Sequence, residues 1–142
     1  MSPHRILVVE DNPDHALLIV DAIESTHGEA VEVRVARNGR EAFEIVFDEK
    51  WIPELVLLDI QMPIVDGFEV LRRLKADGVL RAVPVVMLSS SAEERDVSRS
   101  YGLGSNSYVT KPVGGAALRS LVAQIPSYWF GVNTPPHVEV KR

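Results

Sequence analysis

The chain has no cysteine among its 142 residues. That excludes disulfides, thiolate catalysis, Cys-ligated zinc and iron–sulfur clusters. Aromatics are sparse, at 6%. No apolar run approaches the 18 or so residues that a membrane-spanning helix needs, and the opening MSPHRILVVEDN turns acidic after four apolar residues, unlike a secretory leader. Basic charge is also short. Fifteen Lys+Arg face twenty Asp+Glu, a net charge of −5, so no basic stripe is available to neutralise nucleic-acid phosphates. The four histidines, His4, His15, His27 and His137, lack metal-ligand spacing, and no GxxxxGK[ST] loop is present. These absences leave a cytoplasmic single domain with neither membrane nor nucleic acid as partner.

What is present alternates. Ile6–Val9, Leu55–Leu58 and Val85–Leu88 are continuous apolar runs, as strands buried on both faces require. Val31, Val33 and Val35 alternate with Glu32 and Arg34, which reads as an edge strand, and Ser107–Thr110 reads as a weaker fifth. Helical patterns fall between them. Asn12-Pro13, Asn38-Gly39, the Asp66/Glu69 pair and the Ser91/Glu94 pair each carry a helix-start signature. Leu118, Leu121, Val122 and Ile125 form one stripe of the last helix. The helix expected over about 92–101 is almost wholly polar, which suits either a solvated face or a surface that meets a partner. Five strands alternating with five helices predict an α/β fold with a parallel sheet.

The acids mark the chemistry. Glu10 and Asp11 follow the first strand, and Asp59 follows the third. One Asp after a strand is ordinarily a helix cap. Three acids converging at a switch point of an open sheet, where such folds bind ligands, repel strongly and call for a hard cation. Mg2+ fits, since it takes few carboxylates and favours phosphate oxygens. Ser89 and Ser90 close the fourth strand, and Lys111 closes the fifth, ahead of Pro112. Metal and lysine can neutralise phosphoryl oxygens while a carboxylate attacks, and Asp59, alone on its turn, is the expected nucleophile.

The segments LVVEDN (7–12), LVLLDIQMPIVDGFEVL (55–71), PVVMLSSS (84–91) and NSYVTKP (106–112) resemble the receiver domain of two-component response regulators. The resemblance covers about residues 4–125. It implies a doubly wound, flavodoxin-like sheet of five parallel strands in the order 2-1-3-4-5. It makes Asp59 the phosphoacceptor, Asp11 and Glu10 metal-holding acids with Asp11 in direct contact, and the backbone carbonyl of Gln61 the remaining protein ligand. It assigns Lys111 to the phosphoryl group, Ser89 to a switch hydroxyl and Tyr108 to a switch aromatic. It also implies a cis Lys111-Pro112 bond. The Glu-Asp form of the acidic pair differs from the Asp-Asp of many members. Gln61 and Ser91 occupy positions that tune acyl-phosphate hydrolysis in the family.

The domain is expected to span 1–125. Residues 126–142 then form an aromatic and proline-rich extension with no output domain. SYWFG at 127–131 is similar to the ending of small receivers that serve bacterial phytochrome histidine kinases. Three adjacent aromatics cannot all face one core, so Tyr128, Trp129 and Phe130 are interface candidates, and a homodimer is expected. The expected partners are thus a sensor histidine kinase, such as a bacteriophytochrome, a downstream phosphotransfer or effector protein, and a second copy. Two rivals remain. A dehalogenase-type phosphohydrolase would want an acid at position 61, where Gln stands. A module that dimerises without phosphorylation would have no need of the full set of acids, hydroxyl and lysine.

Overall fold

The computed structural model describes residues 2–136; His137 and the rest of the extension lie outside them. The apolar runs become β1 (His4–Val9), β2 (Val31–Ala36), β3 (Leu55–Leu58), β4 (Val85–Ser89) and β5 (Ser107–Thr110). They form one parallel sheet in the order β2-β1-β3-β4-β5. The central strands β1, β3 and β4 carry the continuous apolar runs. The alternating β2 takes one edge, where its polar residues remain only partly covered.

Helices α1 (Pro13–His27), α2 (Gly39–Phe43), α3 (Gly67–Ala76), α4 (Glu94–Gly102) and α5 (Gly115–Pro126) fill the crossovers. Strand periodicity splits the core in two. Leu7, Val9, Val56 and Leu58 pack with α2 and α3 on one face, while Ile6, Val8, Leu55 and Leu57 meet α1 and α5 on the other. With about 25 cal/mol gained per Å² of apolar area buried, these two layers hold the sheet rigid beneath the rim where its strands end.

Local signals explain the helix starts. The side chain of Asn12 accepts the N–H groups of Asp14 and His15, and Pro13 sits where an N–H would go unused. Asn38 caps α2 through the Glu41 N–H. Asp66 caps α3 through the Glu69 N–H, but only half of the expected box forms, because the Glu69 carboxylate pairs with Arg72 instead.

The Ser91/Glu94 box does not form at all. The N-cap of α4 is Glu93, whose side chain caps nothing. Ser91 donates its hydroxyl to the Asp96 carboxylate at 2.6 Å and accepts the Glu93 N–H. With its proton turned to an ionised acceptor, Ser91 gives its oxygen to the N–H of Glu93, ahead of α4, and not to an N–H inside the helix. The expected polarity of α4 holds, since Ser100 is its one buried residue.

Helical winding does not stop at Pro126. It continues as a widened turn over Ser127–Val132. Proline lacks the N–H that the fourth preceding carbonyl would accept, which favours a looser turn there.

Candidate phosphoacceptor site

In an open parallel sheet the strand order reverses at one point, and loops leaving the strands on either side of it diverge to leave a crevice. Here that point lies between β1 and β3. Val9 is in register with Leu58, and Leu58 with Met87. The residues that follow these strands therefore emerge on one rim. Ligand-atom positions of Glu10, Asp11 and Asp59 lie within 4.8 Å of one another. Glu10 is buried, Asp59 is nearly so, and Asp11 is exposed.

Glu10 and Asp59 are fixed by backbone hydrogen bonds. The Glu10 N–H donates to the Ala36 carbonyl at 3.0 Å, and the Asp59 N–H to the Val9 carbonyl at 3.0 Å. Oδ1 of Asp59 accepts the Ile60 N–H at 2.8 Å. Gly67, at the start of α3, donates its N–H to the Ile60 carbonyl. A Cβ on Gly67 would lie 2.0 Å from the Asp59 carbonyl oxygen, so only glycine lets α3 approach the acid this closely. Sequence reading took Asp66 as the cap and missed the part played by its neighbour.

Lys111 closes the rim from β5. Its N–H donates to the Ser89 carbonyl at 2.7 Å. Its ammonium is buried, bonded to Glu10, 3.9 Å from Oδ2 of Asp59 and 3.1 Å from Nδ1 of His15. His15 is the other site residue that the sequence reading missed. No spacing marked it: His15 stands in the first turn of α1, while Asp11 precedes the Asn12 cap and lies outside the helix.

The electrostatics follow. Three carboxylates face one ammonium, a deficit of two positive charges, and Asp59 feels it. Its pKa is pushed from 3.8 up to about 7, first by burial and next by the Glu10 carboxylate, with Lys111 and the Ile60 N–H pulling the other way. A divalent cation matches both the charge deficit and the oxygen-only donor set. The residues present therefore fit a bound Mg2+.

The remaining candidates occupy the β4–β5 side. Ser89 is buried, and its Oγ accepts the Ser91 N–H at 3.2 Å. The hydroxyl of Tyr108 donates to the Ser91 carbonyl at 2.6 Å, and its ring packs against the α2/α3 side of the core. Gln61 stands in the loop after β3 with its side chain exposed.

One expectation fails. No cis peptide occurs among the described residues, so Lys111-Pro112 is trans. The tertiary amide before proline still favours trans by about 0.5–1 kcal/mol, and the trans chain already delivers Lys111 to Glu10.

The extension divides. Trp129 and Phe130 pack against the α1/α5 side of the core, Phe130 stacks on His4 with ring centroids 4.1 Å apart, and Tyr128 is half exposed.

Comparison with known proteins fits this geometry. A probable methanogenesis regulatory protein, FilR2, of Methanothrix harundinacea is 39% identical over 94% of this chain and 88% of its own. The crystal structure of the phosphorylated cyanobacterial phytochrome response regulator RcpA is 35% identical, with a TM-score of 0.89 over 95% of this chain and 99% of that one. The Mn(2+)-bound form of response regulator Rcp1 is 34% identical, with a TM-score of 0.86 over 95% and 100%. Residues 6–123 match the response regulator receiver domain, and the chain belongs to that family.

Proposed function

We propose that this chain is a phosphoacceptor that takes a phosphoryl group from a sensor histidine kinase onto Asp59 and signals by a change in protein binding. The carrying observation is the convergence of Glu10, Asp11 and Asp59 with one buried lysine on a single rim.

An Asp59 carboxylate oxygen attacks the phosphorus of a phosphohistidine. The P–O bond forms as the P–N bond breaks, and the leaving imidazole keeps the electron pair and takes up a proton. Glu10, Asp11, Asp59 and the Gln61 carbonyl are the groups that would hold Mg2+. The bound cation supplies charge neutralisation for the phosphoryl oxygens. Lys111 contributes a second positive charge. Asp59 must be ionised to attack, and Lys111 favours that form.

Ser89 and Tyr108 serve as the switch. New phosphoryl oxygens draw the Ser89 hydroxyl away from the Ser91 N–H. Tyr108, held on the Ser91 carbonyl, reports that movement to the surface formed by α4, β5 and α5. The equilibrium moves only as far as the phosphoryl group contacts the two states differently.

The likeness to a phytochrome response regulator supports a bacteriophytochrome kinase as donor. A downstream phosphotransfer or effector protein, a homodimer through the extension and a cytoplasmic setting complete the reading. The chain carries no turnover activity beyond slow loss of its own phosphoryl group.

Incubation with Mg2+ and acetyl phosphate, read by intact mass beside Asp59→Asn, tests this. One added phosphoryl group, absent in the variant and with chelator, supports the reading. A folded chain that gains nothing and does not bind beryllium fluoride overturns it, in favour of a module that acts without phosphorylation.

A further inference from the structure

We propose that His15 is a positioning residue for Lys111, acting as a neutral, Nε2-protonated imidazole; this rests on the phosphoacceptor reading above. An ammonium has three N–H donors and no acceptor. The 3.1 Å approach of Lys111 Nζ to His15 Nδ1 therefore makes Nδ1 the acceptor, and the ring proton must sit on Nε2. The lysine is buried, so each of its protons needs a protein partner. Glu10 takes one, Nδ1 of His15 takes a second, and the third is free to face Asp59, 3.9 Å away.

Three partners from three elements fix a flexible four-carbon stem. Glu10 comes from the end of β1, His15 from the first turn of α1, and Asp59 from the end of β3. Glu10 alone would leave the ammonium free to swing about a single contact. With His15 as the second anchor, the remaining N–H points along the edge where a phosphoryl group on Asp59 would arrive. The backbone of His15 is itself held, since its N–H donates to Asn12 at 3.1 Å. The Asn12 cap that starts α1 thereby also fixes the imidazole that steadies the lysine.

The side chain that carries this role should be replaceable by any neutral acceptor at the Nδ1 position. Asparagine places its Oδ1 near where Nδ1 stands, whereas leucine fills space and accepts nothing. Phosphoryl gain from acetyl phosphate with Mg2+ should fall about tenfold in His15→Leu, and His15→Asn should recover most of the wild-type rate, with all three chains folded by circular dichroism. Nitrogen-15 imidazole spectra of the unphosphorylated chain at pH 8 should show His15, assigned by its loss in His15→Asn, protonated on Nε2. Its Nδ1 resonance should move toward that of an unbonded nitrogen in Lys111→Met.

A proton on Nδ1, an Nδ1 resonance indifferent to Lys111, or phosphoryl gain in His15→Leu equal to wild type overturns the assignment. So does an asparagine variant as slow as the leucine one, since the role would then be one of packing. If wild type itself gains nothing on Asp59, the functional reading fails; the spectra, taken without phosphorylation, still decide whether His15 holds Lys111.

Discussion

Lys111 is bonded to Glu10 and stands 3.9 Å from Asp59, so the buried cation of the site pairs more closely with Glu10, an acid proposed to hold the metal, than with Asp59, the proposed phosphoacceptor. Lysine and a divalent cation thus compete for the same carboxylate. Removing the lysine by Lys111→Met should tighten Mg2+ binding by about tenfold, because one neighbouring positive charge is worth on the order of 1 kcal/mol or more at this range. The same variant should lose phosphoryl gain, since the charge facing the phosphoryl oxygens is gone. Titration calorimetry with Mg2+ reads the first effect and intact mass the second. Unchanged Mg2+ affinity would show that Glu10 is not a shared ligand.

Asp59 gives a stability signature. Its carboxyl keeps its proton up to about pH 7 in the folded chain, against 3.8 as the ordinary value. Between those limits the folded state binds more protons than the unfolded one, so stability falls as pH rises from about 4 to about 7. Asp59→Asn cannot titrate and should lack this component. In metal-free buffer the variant should therefore gain on wild type across that window, ending several degrees higher in Tm at pH 8. Saturating Mg2+ should shrink the gap, because the cation favours the ionised form. Parallel pH profiles for the two chains would contradict the raised pKa.

Gly67 sets how close α3 comes to the acid. Its absent Cβ would meet the Asp59 carbonyl oxygen at 2.0 Å, backbone that cannot swing aside. Gly67→Ala should cost about 3 kcal/mol, the upper end of overpacking costs, and should slow phosphoryl gain by shifting the turn that carries Asp59. Urea unfolding measures the first, acetyl phosphate kinetics the second. A variant of wild-type stability would mean that α3 can move outward freely.

Much of this was legible in the sequence, for reasons that also mark the limits. Leu55–Leu58 and Ser107–Thr110 occupy the strands expected of them residue for residue; the first is a short apolar run that leaves little freedom in register, and the second, only partly covered, pairs at the edge with β4. Glu10, Asp11, Asp59 and Lys111 converge because parallel strands send their ends to one rim. What sequence spacing could not decide was which of two partners a polar side chain takes. Ser91 prefers Asp96 to a helix end, Glu69 prefers Arg72 to its cap, and Lys111 reaches a histidine distant in sequence. Gly67 shows the same limit in another form, because its value lies in an atom it lacks.

The aromatic extension separates a packing role from a binding role. Trp129 and Phe130 are partly buried against the α1/α5 side of the core, and Phe130 also stacks on His4. Tyr128 is 50% exposed and touches Trp129 only edge-on, with ring centroids 5.3 Å apart. If the extension joins two copies, Tyr128 is the aromatic left to do it. Trp129→Ala should then cost about 2 kcal/mol of folding stability, below the 3–5 kcal/mol of a fully buried aromatic. Tyr128→Ser should move the chain from dimer toward monomer in sedimentation velocity, and should leave the urea midpoint unchanged when both chains are unfolded at a concentration where they are monomers. Replacing a solvent-facing ring removes contact area only in the assembled state, so its effect is largest at concentrations between the dissociation constants of the two chains. A Tyr128→Ser chain with wild-type sedimentation at every concentration would place any dimer contact elsewhere on the surface.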